Sequence, residues 1–233
     1  MNLEHKTVRP QGIITCGKSQ WRALIVTAVS VERDAVFKAL NGDPRFDVLM
    51  GGVGPVAAAV NTTRALATAD YSLVINVGIA GGFPGKAEVG SLVVATEIVS
   101  ADLGAETPEG FKSLDDLGFG STRIRTEEGL VDKVTSALRI AKLPVNIGPV
   151  LTVSTVTGTD DTTIELATRI EGATAEAMEG FGVGFAALDH KLPFLEIRSI
   201  SNMVGPRDGS AWKIKEALVA LEAACKVLTE VLP

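Results

Sequence analysis

The sequence predicts an α/β fold: a single three-layer domain with a central mixed, mostly parallel twisted sheet flanked by helices. Three observations carry this. Ala23–Val29, Ser72–Gly78 and Phe194–Ser201 are aliphatic runs of the kind found in strands buried on both faces. Segments of helical character alternate with these runs, which is the pattern of a sheet covered on both sides. The length of 233 residues suits one such domain, and 46% hydrophobic with 21% charged residues supplies an ordinary soluble core.

Residues 1–20 are polar and unpatterned and are expected to form an N-terminal extension, with the domain spanning 21–233. The first strand, Ala23–Val29, is followed by a helix to about Leu40, for which Ser30 is a suitable cap. Phe46–Met50 predicts the second strand. After "GGVGP" an Ala-rich helix is expected over Pro55–Ala69, with Pro55 in the first turn. Ser72–Gly78 predicts a third strand that ends in the glycine-rich "GIAGGFPG". Gly90–Asp102 reads as a long strand, 103–122 as a loop, Thr126–Ala141 as a helix, Val145–Gly158 as strand-rich and Asp160–Ile170 as helical. A helix from "AEAMEG" to Asp189, the strand Phe194–Ser201 and an amphipathic helix over Ala211–Val231 complete the chain.

The formal net charge of −6 argues against a nucleic-acid partner, which calls for a basic surface. Cys16 and Cys225 form no CxxC pattern, and with only two histidines no metal constellation is expected. No apolar run approaches the ~18 residues that span a membrane, and the N-terminus carries no apolar signal core, so a reducing cytoplasm is the expected location. Neither glycine-rich segment is a Walker motif or a GxGxxG with a following acid, so no dinucleotide cofactor is expected.

Ligands of α/β sheets bind beyond the carboxyl ends of strands. Glu32, the segment Ile79-Ala80-Gly81, the pair Met178-Glu179 and Asn202 all fall at such ends. Each has an ordinary structural explanation. Glu32 sits in a first helical turn, where the helix dipole favours acids. Met178 could fill core, and Asn202 could open a turn. Glu179 is the hardest to dismiss, because a carboxylate among apolar neighbours needs a partner.

The ordered segments "TAVSVERDAV", "GGVGPVAAA", "INVGIAGGF", "TVSTVTG", "AEAMEGFGV" and "IRSISNMVGPRD" resemble the purine nucleoside phosphorylase/nucleosidase superfamily over nearly the whole chain after residue 22. Within it the chain looks most like the futalosine hydrolases, with the methylthioadenosine/S-adenosylhomocysteine nucleosidases next. The resemblance implies cleavage of an N-glycosidic bond in a small nucleoside, no cofactor and no metal, and a homo-oligomer. It implies that Glu32 activates water and that Met178 and Glu179 hold the ribose. It places Ile79, Ala80 and Gly81 near the water and the base, and backbone groups of Val156 and Thr157 at the purine edge. The two oxygens of a carboxylate suit a cis-diol.

Asn202 departs from the adenine-specific relatives, which carry Asp at this point. An amide can donate to O6 or N7 of a 6-oxopurine, which favours hypoxanthine, the base of futalosine. The phosphate loop of the phosphorylases is replaced by "AVSVERDAV", whose Glu32 would repel phosphate. Phe83, Phe111 and Arg207 are candidates for holding the 5′-substituent. The rival readings are a phosphate-dependent purine nucleoside phosphorylase, an adenine-type nucleosidase and a nucleoside-binding module without turnover.

Overall fold

A computed structural model describes residues 21–233; the extension expected over residues 1–20 lies outside the described residues. Ten strands and seven α-helices are described: β1 (Ala23–Thr27), α1 (Ser30–Leu40), β2 (Phe46–Met50), α2 (Pro55–Leu66), β3 (Leu73–Gly82), β4 (Leu92–Ser100), β5 (Gly104–Thr107), β6 (Gly110–Ser113), α3 (Leu114–Leu117), β7 (Arg123–Arg125), α4 (Glu128–Ile140), β8 (Val145–Thr152), α5 (Asp160–Arg169), β9 (Ala175–Ala177), α6 (Gly180–Asp189), β10 (Phe194–Met203) and α7 (Ile214–Val231).

The main sheet is mixed and mostly parallel. Parallel pairs join β1 to β2 and β3, β3 to β10, β4 to β8 and β8 to β9. Antiparallel pairs join β10 to β4, β3 to β9 and β4 to β7. Because β10 pairs with both β3 and β4, the strands β3–β10–β4–β8–β9 close a ring, from which β1 and β2 extend beyond β3.

The aliphatic runs follow from two-sided burial. In β1, Ala23 and Ile25 face a core built with Val36 of α1, Leu138 of α4 and Leu221 of α7. The alternate residues Leu24 and Val26 face a second core with Ala58 of α2 and Val183 of α6. Period-2 alternation sends successive side chains to opposite faces, so both registers must be apolar. A third cluster around Phe83, Leu151 and Leu166 fills the space beneath α5.

Four expectations are corrected. Ser30 is the first residue of α1 rather than its cap; the N-cap is Val29, whose backbone N–H donates to the Glu32 carboxylate. The strand expected to stop at Gly78 continues through Gly82, because Gly78–Gly82 pair with β10 and, at the end, with β9. The expected loop 103–122 contains a β5–β6 hairpin and the short helix α3, held by Ser113 capping Asp116. Gly104 permits the hairpin to close, since a Cβ there would lie 2.1 Å from the Lys112 carbonyl oxygen. Finally, the last helix starts at Ile214, preceded by a single 3-10 turn at Gly209–Ala211.

Helices α2 and α6 cross where Gly182 meets Pro55; a Cβ on Gly182 would lie 2.0 Å from the Pro55 carbonyl oxygen. Gly182→Ala is therefore expected to push the helices apart and destabilise the protein by about 1–3 kcal/mol. Gly129→Ala in α4, where a Cβ meets open space, is expected to stabilise by about 0.5–1 kcal/mol. Thermal melts of the two variants beside the parent test the contrast; equal shifts would contradict the crossing geometry.

Candidate active site

The carboxyl ends of β1, β3, β9 and β10 converge on a cavity of about 280 Å³. Its wall includes Glu32, Ile79, Ala80, Gly81, Val156, Thr157, Met178, Glu179 and Asn202, so the structure brings together the residues expected near the water, the ribose and the base. A larger hollow of about 420 Å³ lies beside Glu97 and Arg125. There the Glu97 carboxylate is spent on Arg123 at 2.7 Å, and none of the residues singled out in the sequence lines it.

Glu32 is 2% exposed. Its Oε2 accepts from the backbone N–H of Ala28 at 2.9 Å and Val29 at 3.2 Å, and its Oε1 accepts from Ile79 N–H at 2.9 Å. Three donors occupy three of the roughly four acceptor positions of a carboxylate. Burial pushes its carboxyl above the usual range, against the opposing pull of the Ile79 N–H and the Arg198 charge. A held carboxylate with one acceptor position left and a raised proton affinity is suited to general-base work.

Beneath the cavity lies Arg198, fully buried. Its Nε donates to Glu196 Oε1 at 2.7 Å, and its Nη1 is 3.4 Å from Glu179 Oε2. Gly78 is wedged between this guanidinium and the base: a Cβ there would lie 2.6 Å from Glu32 Oε1 and 2.7 Å from Arg198 Nη1. Burial works against the charge of Arg198, but Glu196, Glu179 and Glu32 together outweigh it and raise its pKa. Glu196 is itself fully buried, with Asn76 Nδ2 donating to Oε1 at 3.2 Å. Burial raises its carboxyl, with the Arg198 charge opposing. Gly180 leaves room for it, since a Cβ there would lie 2.2 Å from Glu196 Oε2.

Glu179 is 5% exposed and is held loosely. Gly54 N–H reaches Oε1 at 3.3 Å and Met178 N–H reaches Oε2 at 3.4 Å. These are long contacts, and they leave acceptor capacity for a diol. The "GGVGP" segment thus serves the site: Gly54, at φ +89° before α2, presents its N–H to the carboxylate.

Asn202 lies on β10 just past a bulge that interrupts the pairing with β3 between Ile200 and Asn202. Such irregularities re-aim side chains. Its Oδ1 accepts from the Ser201 hydroxyl at 2.8 Å, and its Nδ2 donates to the Met203 carbonyl at 3.0 Å. The amide nitrogen keeps one N–H for a ligand. At Thr157 the N–H donates to Glu176 Oε1 at 2.9 Å and the hydroxyl donates to Glu176 Oε2, which leaves the carbonyl as the backbone group that Thr157 can offer a ligand.

Glu176, Glu196, Arg198 and Trp212 were not singled out in the sequence. For the first three the signal was present: charged residues inside the buried runs "AEAMEG" and "FLEIRSIS", with Glu196 and Arg198 two apart and so on one face of a strand. Trp212 gave no signal, since its place in the wall depends on the loop after β10. Of the candidates for the 5′-substituent, Phe83 is buried in the cluster beneath α5 and Phe111 lies under Arg169, its ring centroid 4.1 Å from the guanidinium, so neither lines the cavity. Arg207 sits over Trp212. Among the described residues no group of three or more His, Cys, Asp or Glu side chains is placed to hold a metal.

A family model described as the phosphorylase superfamily matches residues 26–233. The chain is 47% identical to a futalosine hydrolase of Streptomyces coelicolor over 90% of this chain and 95% of that protein. It is 45% identical to a futalosine hydrolase of Acidothermus cellulolyticus over 89% and 90% of the two chains. The solved structure of a futalosine hydrolase of Helicobacter pylori shares the fold, with a TM-score of 0.80 at 17% identity over 91% of this chain and 98% of that one.

Glu32→Gln is expected to lower turnover about 10²–10⁴-fold. The variant is also expected to melt lower, because the amide nitrogen replaces an oxygen that accepts from a backbone N–H. A carboxyl with a raised folded-state pKa contributes stability below its unfolded pKa and loses it as pH rises through the folded value, so the deficit relative to the parent should be larger at pH 4 than at pH 7. The same shift places the acid limb of kcat/KM above the ordinary carboxylate range. Activity assays and melts across pH 4–8 check both signs; full activity in the variant would remove Glu32 from the chemistry.

Proposed function

The chain belongs to the phosphorylase superfamily, and from that premise we propose that it is an N-glycosyl hydrolase that uses water to cleave futalosine and release hypoxanthine. The observation that carries water rather than phosphate is the charge around the base. Glu32, Glu179 and Glu196 share the buried Arg198, and the nearby Arg33 is half-buried and paired with Asp34 at 2.7 Å. A phosphate dianion would meet carboxylates where it needs cationic donors.

In the reaction, a water held at the remaining acceptor position of Glu32 attacks C1′ of the ribose. Its proton passes to the Glu32 carboxylate as the new C1′–O bond forms. The C1′–N9 bond breaks and its electron pair leaves with the purine. Positive charge develops on the sugar ring, and Glu179 stabilises it through the two ribose hydroxyls, whose hydrogen bonds strengthen as the charge grows. Met178 packs on the sugar. The spare N–H of Asn202 donates to O6 or N7 of the departing base, and the purine takes its proton from solvent. An adenine-type substrate would present an amino donor to an amide donor, a mismatch that costs affinity.

Assembly is part of the proposal. Val56 and Val60 of α2, Phe185 and Leu188 of α6, and Val53 at the cavity wall are exposed apolar side chains on neighbouring elements. Together they suit contact with a second copy. A reducing cytoplasm accommodates the buried free thiol of Cys225, which burial pushes up to about 12. No helix among the described residues is long and apolar enough to cross a membrane.

Base release in phosphate-free buffer, with futalosine, inosine and methylthioadenosine as parallel substrates, tests the reading. Release from futalosine without phosphate is expected; release only after phosphate is added would identify a phosphorylase. Asn202→Asp is expected to shift preference toward the adenine nucleoside, and unchanged selectivity would remove Asn202 from base recognition. Light scattering on the full chain should give a dimer or larger, and a monomer would overturn the assembly.

A further inference from the structure

We infer that Arg207, stacked on Trp212 at the cavity wall, binds an anionic terminus, an aryl carboxylate, carried on the 5′ arm of the nucleoside. The inference rests on the hydrolase reading above and extends it to the part of the substrate that neither Glu32, Glu179 nor Asn202 contacts.

The first support is the size of the cavity. At about 280 Å³ it lies at the lower edge of ligand sites, which run roughly 300–1,000 Å³. It accommodates a nucleoside, and a further substituent on the ribose must extend past the wall. Trp212 is the aromatic residue of that wall, and the Arg207 guanidinium carbon lies 5.1 Å from its ring centroid.

The second support is the availability of the charge. Arg207 is exposed and has no carboxylate partner among the described residues. The adjacent Asp208 turns its Oδ1 to the Ser210 N–H at 2.9 Å and the Ser210 hydroxyl at 2.6 Å and makes no ion pair with Arg207. Of the other cations near the site, Arg198 is spent internally and Arg33 on Asp34, while Lys213, next to Trp212, is a point charge that lacks the planar fork of Arg207. A guanidinium lying over an indole keeps its edge N–H groups for a bidentate carboxylate while its face is stacked. With a net charge of −6, the protein as a whole repels anions, so an anionic substrate needs such a local cation.

The third support is placement. The segment carrying both residues is tied at each end to strands that form the site. Val204 N–H donates to the Gly82 carbonyl at 2.8 Å, and Lys213 N–H donates to the Ser201 carbonyl at 2.7 Å. Arg207 and Trp212 therefore hang from the same strand end as Asn202, so reading of the base and of the arm share one scaffold.

The test compares futalosine with its methyl ester, which keeps the arm and removes the charge, on the full-length parent, Arg207→Ala and Arg207→Lys. The readout is the ratio of kcat/KM for the acid to that for the ester. In the parent the acid is expected to be preferred. In Arg207→Ala the ratio should fall roughly 10- to 100-fold, mainly through KM, as expected for losing a charged hydrogen bond. Arg207→Lys should restore only part of it, because an ammonium cannot fork. Equal losses on acid and ester, or an unchanged ratio, would overturn the assignment, and since it is a ratio, partial unfolding does not mimic the expected result. If the parent releases no hypoxanthine from futalosine, the hydrolase reading fails separately. Calorimetric binding of acid and ester to the parent then decides the subsite, with equal affinities overturning it.

Discussion

The site depends on one buried cation. Arg198 carries a full charge out of water, which is tolerable only with ionic partners. Three carboxylates surround it, and each has a different task. Glu196 grips Nε from the same strand and sets the guanidinium plane. Glu179 approaches Nη1 loosely and keeps acceptor capacity on the cavity side, which the proposal gives to the sugar. Glu32 feels the charge at longer range while three backbone N–H groups hold it. The cation thus lets two carboxylates stand close together at a cavity wall where, unbalanced, one would have to take up a proton.

Backbone geometry serves that cluster. Gly78 and Gly180 have no Cβ because carboxylate oxygens of Glu32 and Glu196 occupy that space. The strand β3 runs on through Gly82 instead of ending in a loop, and its Ile79 N–H points to Glu32. The pairing of β10 with both β3 and β4 brings Asn202 to the same end of the sheet as Glu32. A flat sheet would place these side chains in a row, whereas the ring gathers them around one cavity.

Much of this was legible in the sequence. The aliphatic runs announced strands buried on both faces, and β1, β2, α5 and β10 fall where their periodicity and flanks put them. The residues at strand ends and helix starts line the cavity, because such places are marked by local signals, whereas Phe83 and Phe111, chosen by residue type alone, lie outside it. The hairpin within 103–122 was not legible: β5 and β6 are four residues each, edge-exposed, and too short for alternation to show. Continuation of β3 was masked by its glycines, which signal a turn locally but here relieve close packing. The commitment of Thr157 to Glu176 is a contact nineteen positions apart, and no local pattern reports such a pairing. The pair Glu196 and Arg198 was visible as opposite charges on one face of an apolar strand, but its meaning appears only when Glu32 and Glu179 arrive from elsewhere in the chain.

The central claim is that one guanidinium serves both the water-activating and the ribose-holding carboxylates, and the pH–rate profile of Arg198→Lys tests it most directly. A lysine ammonium keeps the charge but cannot span Glu196 and Glu179 at once. The account predicts that kcat falls and KM rises together, and that the acid limb of kcat/KM moves to higher pH, because the charge that holds down the Glu32 carboxyl is displaced. A variant that loses kcat with KM and the acid limb both unmoved would contradict it.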